Sequence, residues 1–482
     1  MGNNGIMLLL IMLKLLTLVN LSVALAETAV NATSAYIELP LWHASAPALT
    51  GRPGSHNETS AVTGGALVEG RALQADAVIT PPFAYGMRDY FAAVGVGSGQ
   101  QGRRDLFLTI DTASMMSWLQ CEPCVHCYHQ INNDPVFDPS LSTALKYMPP
   151  PNPQRQGGLC EYVGGHARRR ADFHPVHNIA VPTYCEYTHS YKNSLRFGDY
   201  RVGGTTTGLL VSDTFRFGTL SRPRAFPGTI FGCSSKNVGS FNPGHGVLSL
   251  GRGRLSIPTQ LGHSNIVYRV FSYCLPQRYS DITSTLTFGP PPSIPAGTVY
   301  TPMVTNPVRV DQHYFFVHLT GISVGHVLLD LPDDIFQIDP RTGAGGTYIA
   351  SGTTVTYMPK NAYRILRDTF RAAISASAAQ LSLADPILRY LDTCYRPLQR
   401  DPLHGVPSIT FHFAGGADLQ VPPEHVLMPI QRPGHADNRL CLGFSGDDYF
   451  GSIVIGNVHQ QRVFFIFDTE NTRIGFSPPN AC

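Results

Sequence analysis

Two short segments of the chain carry the residue types that acid–base chemistry requires. Residues 108–119 read LTIDTASMMSWL and residues 347–358 read TYIASGTTVTYM, and the two match in character at most positions. Each begins as an apolar run typical of a strand and continues into a turn of hydroxyl-bearing and small residues. The first turn carries a carboxylate, Asp111, and the second carries Ala350 at the corresponding position. The other turn residues that could support a carboxylate are Thr112, Ser114, Ser351, Gly352 and Thr353.

Two turns of this kind, meeting face to face, could form a catalytic pair if each carried an aspartate. Two carboxyl groups about 3 Å apart share one proton, so that one acts as a base on a water molecule while the other donates to a substrate carbonyl. The hydroxyl groups beside them would hold the carboxyl groups coplanar. The repeated segments therefore indicate the site of a carboxylate-based hydrolase in which Asp111 survives and its partner, at the position of Ala350, is missing.

The missing carboxylate has a direct chemical consequence. A single Asp111 lacks the like-charge coupling that keeps one member of a pair protonated, so no general acid remains at mildly acidic pH. General acid or base assistance contributes about 10²–10⁴ in rate. Asp339 lies upstream across a Gly-rich turn, and its spacing gives it no route into the site. We predict that hydrolytic activity is absent or severely reduced.

The elements around these turns read as an all-β chain with a duplicated lobe. Short runs rich in β-branched and aromatic residues alternate with turn signals. They predict strands at residues 90–96, 106–110, 208–217 and 229–231, and a helix at residues 361–379. In each half an apolar strand closed by glycine follows the turn, at residues 247–251 and 453–456. Duplication of one lobe explains both repeats.

Several stretches outside the turns resemble one known family. They include the cysteine-rich sequence WLQCEPC and, further along, residues 127–130, 136–140, 271–275 and 474–478. Together with the two turns, they are similar to the pepsin-like aspartic proteases, and more closely to their plant nepenthesin-type and xylanase-inhibitor-like branch. The resemblance implies a bilobal all-β fold with a central cleft that accepts an extended peptide or protein. We also expect a monomer that needs no cofactor and no metal.

The chain departs from the pattern of that family at both turns. The family has Asp-Thr-Gly-Ser and Asp-Ser-Gly-Thr, whereas here Ala113 replaces the first glycine and Ala350 replaces the second aspartate. If the position of Ala113 requires a positive φ, its Cβ costs about 1–2 kcal/mol. This change could also displace Asp111.

The family also closes its cleft with a hairpin, the flap, that carries a tyrosine. Tyr191 is our first candidate for that tyrosine, and Phe197, which lacks the hydroxyl group, is the alternative. Residues 192–204 read as an expanded or altered loop at this point. An irregular flap is a further indication against catalysis.

The amino terminus predicts processing in the secretory pathway. Residues 1–26 form a mostly apolar stretch that ends in Ala-Leu-Ala and read as a signal peptide. Residues 27–83 show no sustained periodicity and read as a poorly ordered leader or pro-segment. We expect the N-terminal β lobe at residues 84–278 and the C-terminal β lobe at residues 285–482.

The cysteine content and two sequons agree with that pathway. Ten cysteines, an even number, are enough for five disulfides, although their pairing cannot be deduced from the sequence. Asn31 and Asn57 begin Asn-X-Thr glycosylation sequons. We predict a secreted glycoprotein, with the vacuole as the alternative destination.

Composition and spacing argue against several other functions. With 14% charged residues, a net charge of +2 and no long basic run, nucleic-acid binding has no electrostatic support. Residues 97–102 fit G-x-G-x-x-G, but a strand-like run follows, so we interpret them as a hairpin turn and not a dinucleotide site. Cys121, Cys124 and Cys127 have metal-like spacing, yet an oxidising compartment favours disulfides. After removal of the signal peptide, no apolar stretch is long enough to span a membrane.

Two functional hypotheses remain open. We predict an aspartic endopeptidase homologue that is impaired or inactive because of Ala350, with Ser351, Gly352 and Thr353 as the only local support for efficient proteolysis. The alternative is a non-proteolytic extracellular protein that binds peptides or proteins, similar to the xylanase inhibitors.

Overall fold

The computed structural model of the chain describes residues 37–43, 90–152, 158–169, 183–197, 200–218, 223–239, 241, 243–263, 269–278, 280, 282–308, 313–377, 379–386, 388, 390–398, 401–431, 438–448 and 451–482. The predicted signal peptide and both sequons, at Asn31 and Asn57, lie outside these residues. Within the described ranges, no helix has the length and apolar character needed to cross a membrane.

Strands form most of the regular structure, which confirms the predicted β class. Those of the first half are β1 (Ile37–His43), β2 (Tyr90–Val96), β3 (Arg104–Asp111), β4 (Trp118–Gln120), β5 (Lys146–Tyr147), β6 (His166–Arg169), β7 (Thr183–Phe197), β8 (Tyr200–Phe217), β9 (Arg224–Gly239), β10 (Gly246–Ser249), β11 (Val270–Cys274) and β12 (Ser284–Phe288). Those of the second half are β13 (Val299–Val304), β14 (Phe316–Val317), β15 (Leu319–Val324), β16 (Val327–Leu328), β17 (Thr347–Ile349), β18 (Thr356–Met358), β19 (Leu381–Ala384), β20 (Cys394–Pro397), β21 (Ile409–Phe413), β22 (Ala417–Val421), β23 (Leu427–Gln431), β24 (Asn438–Leu442), β25 (Phe444–Gly446), β26 (Ile453–Ile455), β27 (Phe464–Asp468) and β28 (Arg473–Phe476).

The α-helices of the described residues are short with one exception. They are α1 (Gly99–Gly102), α2 (Leu159–Tyr162), α3 (Ile257–His263), α4 (Lys360–Ala376) and α5 (Pro423–Val426). The long helix α4 begins one residue before its predicted start and ends three residues before its predicted end. It begins after Pro359 and buries Tyr363, Leu366 and Phe370 on one face, which is the apolar spacing that predicted it.

A central antiparallel sheet contains strands from both halves of the chain. Its order is β1, β12, β11, β27, β28 and β13, with β11 of the first half paired directly to β27 of the second. Across that pair, the rings of Phe271 and Phe467 stack with centroids 4.5 Å apart. A stacked aromatic pair of this kind adds to the burial of apolar area, so the two halves share one core at this sheet.

Residues 37–43 differ from the expected poorly ordered leader. They form β1, which pairs with β12 from Ile37 to Leu41 and with β2 from Leu41 to His43. Ile37, Leu39 and Leu41 are buried while Glu38 is exposed. This alternation has the period of a half-buried strand, and it was the available signal for β1.

The two predicted repeats fold in the same way. In the first half, β3 leads into the turn that contains Asp111, and β10 runs parallel to β3 and pairs antiparallel with β4. In the second half, β17 leads into the turn that contains Ala350, and β26 runs parallel to β17 and antiparallel to β18. The apolar strands predicted at residues 247–251 and 453–456 therefore lie directly beside the two turns.

All ten cysteines are paired, which confirms the expectation of five disulfides. One of them, Cys274–Cys482, ties the end of β11 to the carboxy terminus and so links the two halves covalently. The others are Cys121–Cys233, Cys124–Cys127, Cys160–Cys185 and Cys394–Cys441.

Two histidines are buried inside the second half. His459 shares a 2.6 Å hydrogen bond through Nδ1 with Thr356 Oγ1, and its ring packs 4.3 Å from that of Phe444. Among the described residues, no hydrogen-bond partner reaches His459 Nε2 or either ring nitrogen of His425. Burial lowers the pKa of His425 to about 4 and that of His459 to about 3. Both side chains are therefore neutral in the folded protein at mildly acidic pH.

We predict that His425 limits the stability of the fold in acid. The unfolded chain binds a proton at this histidine below its ordinary pKa of 6.5 whereas the folded protein does not until about pH 4, so the free energy of unfolding falls as the pH drops through that window. In His425→Phe, up to about 3 kcal/mol of that loss should disappear. Urea unfolding at pH 7, 5 and 4 measures it. If the free energy of unfolding falls with pH by the same amount in the wild type and in His425→Phe, the prediction is wrong. The exposed His326→Gln serves as the control.

Candidate active site

The two turns meet through a reciprocal set of hydrogen bonds. Thr112 Oγ1 donates to Ile349 O at 2.9 Å, and Ser351 Oγ donates to Ile110 O at 3.1 Å. In return, the backbone N–H of Ser351 donates to Thr112 Oγ1 at 2.9 Å, and that of Thr112 donates to Ser351 Oγ at 3.1 Å. Each hydroxyl group thus donates once and accepts once across the junction. The arrangement relates the two turns by an approximate two-fold axis.

Asp111 lies beside this junction with its carboxylate directed toward the second turn. The carboxylate accepts hydrogen bonds from the backbone N–H of Ala113, at 2.8 Å, and from that of Gly352. Both hydrogen bonds favour the ionised form, but desolvation of the half-buried group is the larger effect and raises the pKa of Asp111 to about 6. Asp111 can therefore hold a proton at mildly acidic pH, so the expectation that no general acid remains there was wrong; the group that is missing is a second carboxyl group at position 350.

Ala350 occupies the equivalent place in the second turn, and its surroundings are apolar. It is fully buried in a cluster that includes Phe316, Val355 and Tyr357, and Ala113 of the first turn packs against the same cluster. Its backbone N–H donates to Ile455 O at 3.0 Å, as the parallel pairing of the second half requires. No carboxylate of the second turn therefore faces Asp111.

The remaining turn residues make local hydrogen bonds. Ser114 Oγ donates to Met116 O at 3.2 Å. The backbone N–H of Thr353 donates to Ala350 O at 3.3 Å, and the carbonyl of Thr353 accepts from the backbone N–H of Asn457. These contacts close the two turns without reaching Asp111.

Ala113 does not suffer the backbone penalty that we considered for it. Neither Ala113 nor Gly352 has a positive φ, so a Cβ at either position causes no left-handed strain. The difference between alanine and glycine in these turns must therefore come from space and not from backbone conformation.

Tyr191 lies within reach of the first turn. Trp118 Nε1 donates to Tyr191 Oη, and Tyr191 also interacts with the side chain of Ser114. Desolvation, followed by the nearby charge of Asp111, raises the pKa of Tyr191 well above its ordinary value. The backbone of the other candidate, Phe197, pairs with Tyr200, and its side chain lies outside the described residues.

The segment expected to be a loop after Tyr191 is largely strand. Strands β7 and β8 pair antiparallel from Glu186 and Leu209 to Phe197 and Tyr200, with one irregularity after Tyr191. The alternation of Ser, Thr and Tyr along this hairpin suits strand pairing, and the Gly-rich composition of residues 198–204 obscured it.

Three residues that the sequence analysis did not single out support the turns. Ser249 donates to Ser114 O at 2.5 Å, Asn457 Nδ2 donates to Ser351 O at 2.9 Å, and Gln460 Nε2 donates to Ala350 O at 3.3 Å. Their position in the sequence could have identified them, because each lies in or just after the apolar strand that follows its turn.

The other candidates from the sequence lie in structural roles. Asp339 closes its own turn, with its carboxylate accepting from the backbone N–H of Arg341 at 2.7 Å. Cys121, Cys124 and Cys127 are all in disulfides. In the part of the chain that the structure describes, no group of three or more His, Cys, Asp or Glu side chains is placed to hold a metal ion.

Comparison with known proteins places this site in a family. Residues 90–290 match the family described as xylanase inhibitor N-terminal, and residues 314–478 match the one described as xylanase inhibitor C-terminal. The chain is 33% identical over 398 residues to the protein named Aspartic Protease in Guard Cell 2 of Arabidopsis thaliana, covering 82% of this chain and 73% of that protein. It is 30% identical over 409 residues to aspartic proteinase nepenthesin-2 of Nepenthes gracilis, covering 84% and 81%.

Solved structures agree with the fold. The crystal structure titled edgp superposes with a TM-score of 0.61 at 18% identity, covering 93% of this chain and 95% of that one. Basic 7S globulin from soybean superposes with a TM-score of 0.60 at 16% identity, covering 92% and 96%. At these identities the likeness concerns the fold alone.

The chain therefore belongs to the pepsin-like aspartic protease family. Within it, the chain lies in the branch that contains the nepenthesins and the xylanase-inhibitor-like proteins. The similar proteins are named as aspartic proteases, whereas the matching family models are described as xylanase inhibitor domains, so family membership supports an aspartic protease or an inhibitor-like role.

We predict that the ionised form of Asp111 destabilises the fold at neutral pH. Because the folded pKa is about 6 and the ordinary value 3.8, the folded state binds the extra proton in this window, and stability falls as the pH rises through it. Asp111→Asn should be more stable than wild type at pH 7, by no more than about 3 kcal/mol, and equal to it near pH 3.5. Urea unfolding at both pH values measures the difference.

Asp339→Asn provides a control with the opposite sign. Hydrogen bonding from the backbone N–H of Arg341 lowers the pKa of Asp339, which means that the folded protein favours the ionised carboxylate. Asp339→Asn removes that charge and should therefore not stabilise the protein at neutral pH. Equal stability of Asp111→Asn and wild type at pH 7 would show that Asp111 is not desolvated in the folded protein.

Proposed function

We propose that this chain is a secreted, non-proteolytic member of the family that binds an extended segment of a peptide or protein. The observation that carries the proposal is the junction of the two turns, where Asp111 lies against Gly352 and the equivalent position of the second turn holds the buried Ala350 in place of a carboxyl group. Hydrolysis by this family requires one carboxylate to take a proton from water while a second carboxyl group donates to the peptide carbonyl. A single carboxyl group cannot occupy both protonation states at once.

The intact scaffold around the junction supports retention of binding. The hydroxyl groups of Thr112 and Ser351, and the contact between Tyr191 and Trp118, are all in place. An extended peptide that pairs with strands of the protein gains main-chain hydrogen bonds, which do not depend on a catalytic carboxylate. A chain that cannot hydrolyse a peptide bond can therefore still bind the peptide.

The proposal includes the compartment and the organisation of the chain. Five disulfides are typical of proteins that fold in an oxidising compartment. We propose that residues 1–26 are removed as a signal peptide, that residues 27–83 form a leader, and that lobes at residues 84–278 and 285–482 flank the cleft of a monomer. Export leads to the cell exterior or to the vacuole. The proposal includes no metal and no cofactor, and the described residues contain no cluster of side chains that could hold a metal ion.

Efficient proteolysis is the competing function, and one observation favours it. The reciprocal hydrogen bonds of the turns are complete and Asp111 can hold a proton, so one of the two carboxyl groups that catalysis requires is present in a usable state. A statine-type transition-state analogue separates the two functions, because its hydroxyl group needs two carboxyl groups.

We predict no cleavage of acid-denatured haemoglobin by the purified full chain between pH 2.5 and 6, measured as new amino termini. The same assay on Asp111→Asn should give the same baseline. Cleavage that disappears in Asp111→Asn and is blocked by a statine-containing peptide would overturn the proposal. Cleavage blocked by serine-protease reagents would instead identify a contaminant.

Binding needs its own measurement. A fluorescein-labelled peptide pool from casein should show saturable anisotropy with the wild-type chain, and Asp111→Asn should bind it comparably. A statine-containing peptide should compete no better than an ordinary peptide of its length. No saturable binding up to about 1 mM, where the binding free energy is only about −4 kcal/mol, would refute the peptide-binding part of the proposal.

A further inference from the structure

Gly352 lies closer to Asp111 than any larger residue could. A Cβ built on Gly352 would lie 2.6 Å from Asp111 Cγ and 2.7 Å from Asp111 Oδ1. Carbon atoms that are not bonded prefer about 3.5–4.0 Å, so such a Cβ and the carboxyl group would overlap. The third position of the second turn must therefore be glycine as long as the first turn carries an aspartate.

The approximate two-fold axis implies an equivalent close approach in the first turn. Thr112 and Ser351 exchange equivalent hydrogen bonds across the junction, so Asp111 is related to Ala350 and Gly352 is related to Ala113. An aspartate at position 350 would place its Cγ against the third position of the first turn. That position holds the methyl group of Ala113 and not a glycine.

Ala113 lies against an apolar cluster in which position 350 holds a small residue. Ala113 packs against the apolar cluster that contains Ala350, and its φ is not positive. Its methyl group therefore fills space at the edge of that cluster without backbone strain. In a close-packed interior, the same volume cannot also hold a carboxyl group.

We propose that Ala113 and Ala350 are a compensating pair, in which the methyl group of Ala113 occupies the volume that a carboxyl group at position 350 would need. The inference rests on the proposed loss of proteolysis and extends it, because it makes Ala113 a second block that is independent of the missing carboxylate. Restoring an aspartate at position 350 is then not sufficient to restore the catalytic pair. Ala113 acts here as a positioning residue and touches no substrate.

The test compares four full-length chains in the haemoglobin assay: wild type, Ala113→Gly, Ala350→Asp and the double variant Ala113→Gly/Ala350→Asp. Hydrolysis would begin as one carboxylate takes a proton from water, the water oxygen bonds to the carbonyl carbon and the other carboxyl group protonates the carbonyl oxygen. The tetrahedral diol would then break its C–N bond as the first carboxyl group protonates the leaving nitrogen and the second carboxylate takes a proton from a diol hydroxyl group, which returns the pair to its starting state. The double variant should cleave about 10²-fold faster than Ala350→Asp, since a misplacement of about 1 Å costs a factor of that size. Ala113→Gly alone should stay at the wild-type baseline.

Steric overlap and charge repulsion are separated by a neutral control. Ala350→Asn has the shape of the aspartate but cannot complete the catalytic pair, so Ala113→Gly/Ala350→Asn should remain inactive. In thermal unfolding, Ala113→Gly should raise the Tm of both position-350 variants by about 2–4 °C. In the wild type, the same change should lower the Tm or leave it unchanged, because glycine gains more conformational freedom than alanine in the unfolded chain.

Each result decides a defined claim. Equal and measurable cleavage by Ala350→Asp and the double variant overturns the compensating pair and leaves the proposed loss of proteolysis untouched. Asp111-dependent cleavage by the wild type overturns the proposed function, and the Tm comparison still tests the pair. If no variant cleaves, the Tm comparison alone decides, and an identical effect of Ala113→Gly in all three backgrounds rejects the inference.

Discussion

The structure depends on two buried hydroxyl groups at the junction of its two halves. Thr112 Oγ1 and Ser351 Oγ each donate to a carbonyl of the opposite turn and each accept from the opposite backbone N–H. Both side chains are fully buried, and a buried polar group without a partner typically costs about 1–3 kcal/mol. Each hydroxyl group pairs with a backbone carbonyl and a backbone N–H of the opposite turn. Neither residue can therefore change alone without leaving backbone groups of the opposite turn without a hydrogen bond. This mutual dependence fixes where Asp111 and Ala350 lie.

The surrounding sheets hold the junction in register. Parallel strands flank each turn on one side, with Ser249 aligned to Asp111 and Ile455 aligned to Ile349. At a distance from the turns, β11 and β27 join the halves in the central sheet, and the disulfide Cys274–Cys482 closes the chain end onto it. The junction is thus supported by both backbone pairing and a covalent link.

Much of this arrangement could be predicted because it repeats. The alignment of Asp111 with Ala350 needed only the shared order of apolar, hydroxyl-bearing and small residues, and β2 was predicted with its observed bounds at Tyr90–Val96. The flanking strands were found by the same repeat. A pattern that occurs twice in one chain is stronger than either copy, since chance would have to produce it twice.

The features that sequence reasoning missed are those that depend on distant contacts. The strand β1 pairs with β12, which lies more than two hundred residues away along the chain, and local composition around residue 37 gave no sign of that partner. The pairing of the cysteines is likewise set by the folded topology. The end of the β7–β8 hairpin, residues 192–204, was interpreted as a loop because its glycines outweighed the alternation of the flanking residues, whereas residues 208–217 were predicted as a strand.

Packing alone is enough to account for the residues that the second turn retains. Ser351 is required by Thr112, and Gly352 is required by the carboxyl group of Asp111, so both would be selected in a protein that performs no chemistry. Their presence is therefore no argument for activity. The two positions that differ from the family pattern, Ala113 and Ala350, are the ones that we propose to compensate each other. A site that keeps every residue its geometry needs, and alters only a matched pair, is what a stable but chemically incomplete junction should contain.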